Sequence, residues 1–249
     1  MSERTESEAN MPNHVRNKIE FRCSEERLAE VLDAICYQDS DKNEFTGRGS
    51  VDFNRIIPMP VSLDIESGSI TDSAIAYYLT ERLTIPYART DLQKFIKNCF
   101  SYDWPKEVCE RLKEQVKKDS QEKLDKLYEM GKQYIFNIKN YGFATWYDWC
   151  RANWGTKWNS YDGYADGNIV EFSTAWSSPE PIIAKIAEMF PDVEISHEWA
   201  DEDIGRNCGS ALYENGEFFI EHYPTEEDAT DFALSVWGME KDEYESCFA

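Results

Sequence analysis

The 249-residue chain is long enough for one large domain or two small ones, and its 41% hydrophobic and 14% aromatic residues exclude a disordered acidic polymer. It carries 48 acidic against 26 basic residues, and the resulting formal net charge of -22 opposes binding to nucleic acid and to anionic membranes. Such a charge is typical of a soluble protein, of one that binds a basic partner, or of one that imitates a polyanion.

The sequence shows no targeting segment, disulfide framework or metal motif. Residues 1–10 are polar and lack the apolar core of a signal peptide, so they are predicted to be a disordered extension. No run reaches the ~20 apolar residues of a membrane helix. The seven scattered cysteines include no C-x-x-C pair and indicate the reduced thiols of a cytoplasmic protein. The three histidines lack the spacing of metal ligands, so neither a metal nor a cofactor is expected.

Residues 11–68 show a β-α-β pattern. Residues 17–23 alternate between apolar and polar side chains and predict a first strand. Ser24 can cap the helix that follows, whose apolar residues recur at helical spacing. Residues 51–57 predict a second strand, which Pro58 ends.

Residues 69–142 change to a helical period and predict a helical insert. Residues 87–100 form one of its predicted helices, and a polar run predicts a kink or break near Ser120. The apolar stripe continues beyond that point to Ile138.

Residues 143–249 return to strands and complete the pattern. Residues 168–174 and 193–199 alternate as strands on either side of a helix that begins near Pro179. Asn215-Gly216 between two apolar runs is typical of a β-hairpin. A last helix is predicted from Thr225 to Gly238.

Two β-α-β units and a β-hairpin, with the insert between them, predict an α+β fold with a ferredoxin-like antiparallel sheet. Residues 143–176 contain five of the eight tryptophans, and we expect this stretch to organise the core. In particular, Trp154, Trp158 and Trp176 are predicted to be mostly buried and close together.

Several short segments together resemble one known family. They are residues 11–15 (MPNHV), 57–60 (IPMP), 153–158 (NWGTKW), 172–177 (FSTAWS) and 190–192 (FPD). Their order and character are similar to the Api92-like proteins with a ferredoxin-like domain, also called the YubB-like family, whose members occur in bacteria, phages and conjugative plasmids. The resemblance spans roughly residues 11–220. It implies a fold and a mobile-element setting, and it carries over no catalytic residue.

The resemblance and the charge together predict a non-catalytic accessory protein of a phage or conjugative plasmid. Such a protein acts by binding a host protein with a basic surface, as a nucleic-acid mimic or an anti-defence factor. The alternative is an enzyme or small-ligand-binding protein with a pocket at the corner formed by residues 153–157. The oligomeric state stays open.

The corner offers Lys157 as a cation, with Asn153 and Thr156 as hydrogen-bonding groups, and His14 as a further candidate for ligand binding or general-base chemistry. The structural alternative is a helix cap at Gly155 with Trp154 and Trp158 buried beside it, and a histidine that only fixes the start of the first strand.

No nucleotide-binding loop, hydrolase elbow or zinc-protease motif occurs, so the sequence favours a protein without catalytic residues. Three glutamates, Glu171, Glu194 and Glu198, lie opposite the apolar faces of their predicted strands. Paired carboxylates can act as acid and base. The solvent face of a one-sided sheet is the plainer interpretation. By the same alternation His197 lies on the apolar face and is expected to be a core histidine with its hydrogen bonds satisfied.

The C-terminal region concentrates acidic residues. The apolar residues of the last helix face inward, so its other face must expose carboxylates. We predict an acidic partner-binding face. It is made of Asp201, Glu202 and Asp203, in the loop after the strand predicted at residues 193–199, and of Glu226, Glu227 and Asp231 on the last helix. Solubility alone also explains this density of charge.

Overall fold

The computed structural model describes residues 13–37, 50–84 and 105–246, which fall into two compact units. The first unit comprises Met1–Pro58 and Cys150–Ala249, and the second comprises Met59–Trp149. The predicted extension at residues 1–10 and the predicted helix at residues 87–100 lie outside the described residues. No described helix has both the length and the apolar character needed to cross a bilayer.

A six-stranded antiparallel sheet forms the frame of the first unit. Its strands are β1 (His14–Arg22), β2 (Tyr161–Asp166), β3 (Ile169–Ala175), β4 (Glu194–Asp201), β5 (Gly209–Glu214) and β6 (Glu217–His222). They lie in the order β2-β3-β1-β4-β5-β6, so β2 and β6 are the edges of the sheet within the described residues. Helices and an antiparallel sheet together confirm the predicted α+β class.

The sheet is one-sided because its central strands alternate. In β1, Val15, Asn17, Ile19 and Phe21 are buried, while the residues between them are partly exposed. The first unit includes the helices α1 (Glu25–Ile35), α7 (Glu180–Met189) and α8 (Glu226–Trp237). Of these, α7 packs against β4, β5 and β6, and α8 packs against β1 and β4.

Local signals set the ends of these elements. Ser24 caps α1 by accepting a hydrogen bond from the backbone N–H of Arg27 at 3.3 Å. Gly238 ends α8 in the left-handed conformation. Asn215 and Gly216 both have positive φ, as a two-residue hairpin turn requires. These predictions are confirmed. A short helix that was not predicted, α9 (Lys241–Ser246), follows α8.

The predicted second strand at residues 51–57 is wrong. Its central residues form a short helix, α2 (Phe53–Ile56), and only an isolated bridge joins Val51 to Cys36. Phe53 and Ile56 are buried three positions apart, a helical spacing, and the side chain of Asp52 accepts a hydrogen bond from the N–H of Asn54 at 3.0 Å. One helical turn therefore stands where the strand was predicted.

The strand β2 was not predicted from the sequence. Its residues, YDGYAD, lack the β-branched side chains that favour strands and include two aspartates and a glycine, which are depleted there. Gly163 is needed for a tertiary reason, because a Cβ atom at this position would lie 2.4 Å from the Cα atom of Ser50.

The second unit is helical. Its helices are α3 (Ser69–Leu79), α4 (Pro105–Val116), α5 (Gln121–Tyr141) and the first half of α6 (Trp146–Asn153), after a 3-10 turn at Val61–Leu63. The predicted break is confirmed, since Ser120 caps α5. Gly131 lets α3 and α5 approach closely, because a Cβ there would lie 2.0 Å from the carbonyl oxygen of Ala74. The predicted boundaries of the insert, residues 69–142, stay a prediction.

Candidate functional site

The corner after α6 is built around Thr156. Gly155 has a φ of 79°, which turns the chain, and a Cβ there would lie 2.9 Å from the side chain of Pro181. The buried hydroxyl of Thr156 donates to the carbonyl oxygen of Ala175 at 2.6 Å and accepts from its N–H at 3.2 Å. Its hydrogen-bonding capacity thus ties the corner to the end of β3.

Lys157 lies between two tryptophans. Its ammonium nitrogen is 4.5 Å from the ring centroid of Trp158 and 4.5 Å from that of Trp176. Each contact is a cation–π interaction, worth about 0.5–1 kcal/mol where the site is exposed. The cation predicted for a ligand is therefore in contact with the protein's own aromatic rings.

The prediction that all three tryptophans of this region are buried is wrong for Trp176. Trp154 is buried, and its indole N–H donates to the carbonyl oxygen of Ile57 at 2.8 Å. Trp158 is only half-buried, and Trp176 is 39% exposed. Trp176 follows β3 with a φ of 73°, a conformation that bulky side chains rarely adopt. That backbone turn leaves its ring at the surface against Lys157.

Backbone contacts hold Trp176 in this conformation. Its N–H donates to the carbonyl oxygen of Asn13 at 2.9 Å, and its carbonyl oxygen accepts from the side chain of Asn207 at 3.1 Å. A strained residue persists only where its surroundings fix it. Two neighbouring segments of the first unit therefore hold Trp176 from both sides.

His14 lies beside this corner. It pairs with Ala175 across the β1–β3 ladder, and its Nδ1 is 2.6 Å from the hydroxyl oxygen of Tyr161. That hydroxyl also lies 3.2 Å from the carbonyl oxygen of Thr174. Both contacts are satisfied when His14 donates from Nδ1 and Tyr161 donates to Thr174. Burial above all raises the pKa of Tyr161 to about 12, so its hydroxyl remains protonated at neutral pH.

The predicted ligand-binding residues have other surroundings within the protein, and binding of a ligand at them stays a prediction. Asn153 is the last residue of α6 and is half-buried, Thr156 bonds to backbone, and Lys157 contacts the two rings. A cavity of about 330 Å³ is lined by Tyr37, Ser50, Ser160, Tyr161, Asp162 and Gly163. Among the described residues it therefore adjoins His14 through Tyr161 and does not include the Lys157 corner.

The core histidine is buried as predicted. His197 has no exposed surface, and its Nε2 lies 3.1 Å from Oδ1 of Asn17. The side-chain amide of Asn17 donates to the carbonyl oxygen of Val15 and to the hydroxyl of Thr174. Nδ1 of His197 has no hydrogen-bond partner within the described residues, so the expected satisfaction holds for one nitrogen only. Burial lowers the pKa of His197 to about 3 and keeps the ring neutral.

The three strand glutamates face basic residues of β1. Glu171 pairs with Arg16 at 2.5 Å, Glu198 with Lys18 at 3.9 Å, and Glu194 with Arg22. A shallow cavity of about 190 Å³ on this face is lined by Lys18, Glu20, Ile169, Ser196 and Glu198. The open face of the central strands is thus a ladder of cross-strand ion pairs.

The structure differs from the predicted acidic face at Asp201. Asp201 is only 5% exposed, and its carboxylate accepts hydrogen bonds from Asn13, from the N–H of Asp203 and from Asn207. It is buried because it is the last residue of β4 and not part of the loop. The exposed members of the predicted face are Glu202, Asp203, Glu226 and Asp231, while the side chain of Glu227 lies outside the described residues.

A third cavity, of about 220 Å³, is lined by residues from β4, from the segment before β5, from the segment after β6 and from the start of α8. No sequence pattern marks it, because Trp199, Cys208, Tyr223 and Glu226 are distant along the chain. Residues 13–37, 50–84 and 105–246 contain no cluster of three or more potential metal ligands.

The C-terminal part of the chain, which contains the strands β2 to β6, is similar to a known domain family. Residues 153–245 match the ferredoxin-like domain in Api92-like protein. The match covers the strands β2 to β6 and the helices α7 and α8, and it confirms the predicted ferredoxin-like fold class.

One solved structure is similar to this chain at a low level. The crystal structure of a protein api92 from Yersinia pseudotuberculosis is similar over 86% of this chain and 99% of that chain, with 10% sequence identity and a TM-score of 0.38. This low identity and TM-score transfer no residue role from api92 to this chain. No curated protein sequence matches the chain.

Proposed function

We propose that this Api92-like protein is a non-catalytic accessory protein that binds a basic surface of another protein. The observation that carries the proposal is the imbalance of charge after β4. Residues 201–246 contain 14 acidic residues against two basic ones, Arg206 and Lys241. Both bases already pair with carboxylates of the same region, at 3.4 Å to Asp203 and 2.7 Å to Asp231.

This imbalance differs from ordinary surface polarity, in which both signs of charge are interspersed. Like charges at this density repel one another and destabilise the compact state. A basic protein surface removes that repulsion and is steered toward the acidic face during encounter. A surface that normally binds nucleic acid has the required charge.

The resemblance to Api92-like proteins supports the biological setting that we propose. In this proposal the chain is cytoplasmic, is encoded by a phage or conjugative plasmid, and binds a host protein as a nucleic-acid mimic or anti-defence factor. The net charge of -22 supports binding to protein over binding to nucleic acid or an anionic membrane.

The test is charge reversal with a matched control. One variant changes Glu202, Asp203 and Asp231 to Lys, and the control changes Glu114, Glu122 and Glu129 of the second unit to Lys, so that both alter the net charge equally. Partners captured from host lysate by the wild-type chain are identified, and their affinity is measured across a salt series. We expect the first variant alone to lose binding, and the wild-type association rate to fall steeply with salt.

Equal capture of the same partner by all three proteins, with the same dependence on salt, would show that the acidic face only solvates the protein. Loss of binding in both variants would mean that net charge, and not this face, attracts the partner.

A second candidate function is binding of a small anionic ligand at the Lys157 corner. The strained backbone of Trp176 and the contact of its partly exposed ring with the ammonium group of Lys157 favour this candidate. The test measures thermal stabilisation by inorganic phosphate and by acetate in the wild type and in Lys157→Gln. Stabilisation that is equal in both proteins, or absent from both, contradicts this candidate.

A further inference from the structure

The strand β6 exposes an apolar edge. Within the described part of the chain it forms a ladder with β5 on one side only, and it is the last strand of the sheet. Phe218, Phe219 and Ile220 are 54%, 62% and 56% exposed. Edge strands in soluble proteins are ordinarily protected by charges or proline, and exposed apolar edges mark sites of association.

The 220 Å³ cavity lies at the end of this strand. Tyr223 and Pro224, which directly follow β6, form part of its lining, together with Trp199, Cys208 and Glu226. The ring of Tyr223 packs edge-to-face against that of Trp199, with centroids 5.9 Å apart. Pockets for drug-sized ligands measure about 300–1,000 Å³. This cavity therefore suits a single side chain better than a whole small molecule.

The charge around the cavity selects for a cation. Glu226 lines it, and Glu217 and Glu221 lie on β6 itself. Aromatic rings beside a carboxylate attract an ammonium or guanidinium group through both cation–π and ionic contact. The helix α8 begins at Glu226, and its N-terminal end would attract anions. However, the carboxylates of Glu226 and Asp228 already lie in that first turn.

We propose that β6 pairs with an extended segment of another protein, and that the cavity binds a lysine or arginine side chain of that segment. This inference rests on the proposed function, because it specifies how a basic partner docks. The backbone of β6 supplies the pairing, its apolar residues cover the added strand, and the cavity fixes the register. Pairing of β6 with β6 of a second copy does not fit, since residues 207–240 contain neither lysine nor arginine to enter the cavity.

The probe is an acetylated peptide in which valine and threonine alternate and one position carries arginine. The matched control peptide carries citrulline, which has the same shape without the charge. Binding is followed by NMR through the indole N–H signal of Trp199, assigned by its through-space contacts. We expect the arginine peptide to shift this signal and the citrulline peptide to bind at least tenfold more weakly.

Protein variants separate the two parts of the site. Glu226→Gln removes the carboxylate of the cavity and is expected to weaken the arginine peptide roughly tenfold, whereas Asp242→Asn, on α9, leaves its affinity unchanged. Ile220→Lys places a charge on the edge strand and is expected to abolish binding while the protein keeps a cooperative melt.

The proposal is overturned if both peptides bind equally, if Glu226→Gln has no effect, or if inorganic phosphate shifts the Trp199 signal and the arginine peptide does not. The outcome is independent of the test above, because the reversal of Glu202, Asp203 and Asp231 leaves the cavity lining intact. A partner that depends on those three residues, with a peptide that fails to bind, sustains the proposed function and removes only this inference.

Discussion

The open face of the central strands and the surface after β4 carry the same kind of residue in opposite circumstances. On the central face, Glu171, Glu194 and Glu198 each pair with a basic residue of β1. After β4, the carboxylates far outnumber Arg206 and Lys241. The difference shows that acidity in this protein is not a uniform solvating coat. On the central face a carboxylate stabilises the fold, whereas in the proposed function the exposed carboxylates after β4 bind a partner.

The largest expected effect on stability tests whether the stretch at residues 143–176 organises the core. Trp154→Ala removes a buried indole that packs edge-to-face on Phe53 and donates to Ile57, so we expect a loss of about 3–5 kcal/mol in the free energy of unfolding. Trp176→Ala, which removes an exposed ring and one cation–π contact, should lose only about 1 kcal/mol. Urea unfolding of both variants measures this, and similar losses would contradict the structure.

The next effect concerns the buried His197. Its pKa is about 3 in the folded protein and about 6.5 when unfolded, so between these values the unfolded chain binds more protons and stability falls as the pH falls. Between pH 7.5 and 5.0 we expect a loss of about 2 kcal/mol.

Two variants identify the source of that pH dependence. His197→Gln lowers stability but should flatten its dependence on pH, while His222→Gln, at the exposed end of β6, should keep the slope of the wild type. Urea midpoints at several pH values provide the measurement. A slope that survives in His197→Gln would place the titrating group elsewhere.

A smaller effect distinguishes the two acidic regions directly. Glu171→Gln breaks the ion pair with Arg16, in which both side chains are about three-quarters buried, and should destabilise the protein by about 1 kcal/mol. The same loss is expected from Arg16→Gln, and the double variant should lose little more than either single one. Additive losses would show that the two side chains do not interact in solution.

The smallest effect has the opposite sign. Neutralising Glu202 or Asp242, which lie among other carboxylates, should raise the melting temperature slightly at low salt, and the rise should vanish at high salt. If Glu202→Gln instead lowers the melting temperature as Glu171→Gln does, then the two regions do not differ in the way described.

Much of the sheet could be predicted because its strands are half-buried. Alternation identified β1, β3 and β4, and Asn215-Gly216 identified the hairpin. The edge strand β2 gave no such signal, and the strand predicted at residues 51–57 is wrong because Phe53 and Ile56 are buried on one helical turn. Local pattern therefore predicted the strands with one apolar face and failed where tertiary contacts decide.

The candidate sites were less predictable for the same reason. Lys157 lies between two tryptophan rings because the backbone of Trp176 is left-handed. No local sequence pattern predicts that conformation for so large a residue. The cavity beside β6 joins residues 199 to 229 from three elements. Asp201 was likewise predicted to be a loop residue, but β4 continues through it.

The burial of Asp201 has a consequence for the speed and entropy of association. Its carboxylate fixes Asn13, the backbone of Asp203 and the side chain of Asn207, so the turn that displays Glu202 and Asp203 is anchored at several points. Ordering a loop during association consumes part of the interaction energy. In the proposed association the turn is anchored before a partner arrives, so little of the interaction energy is spent on ordering it.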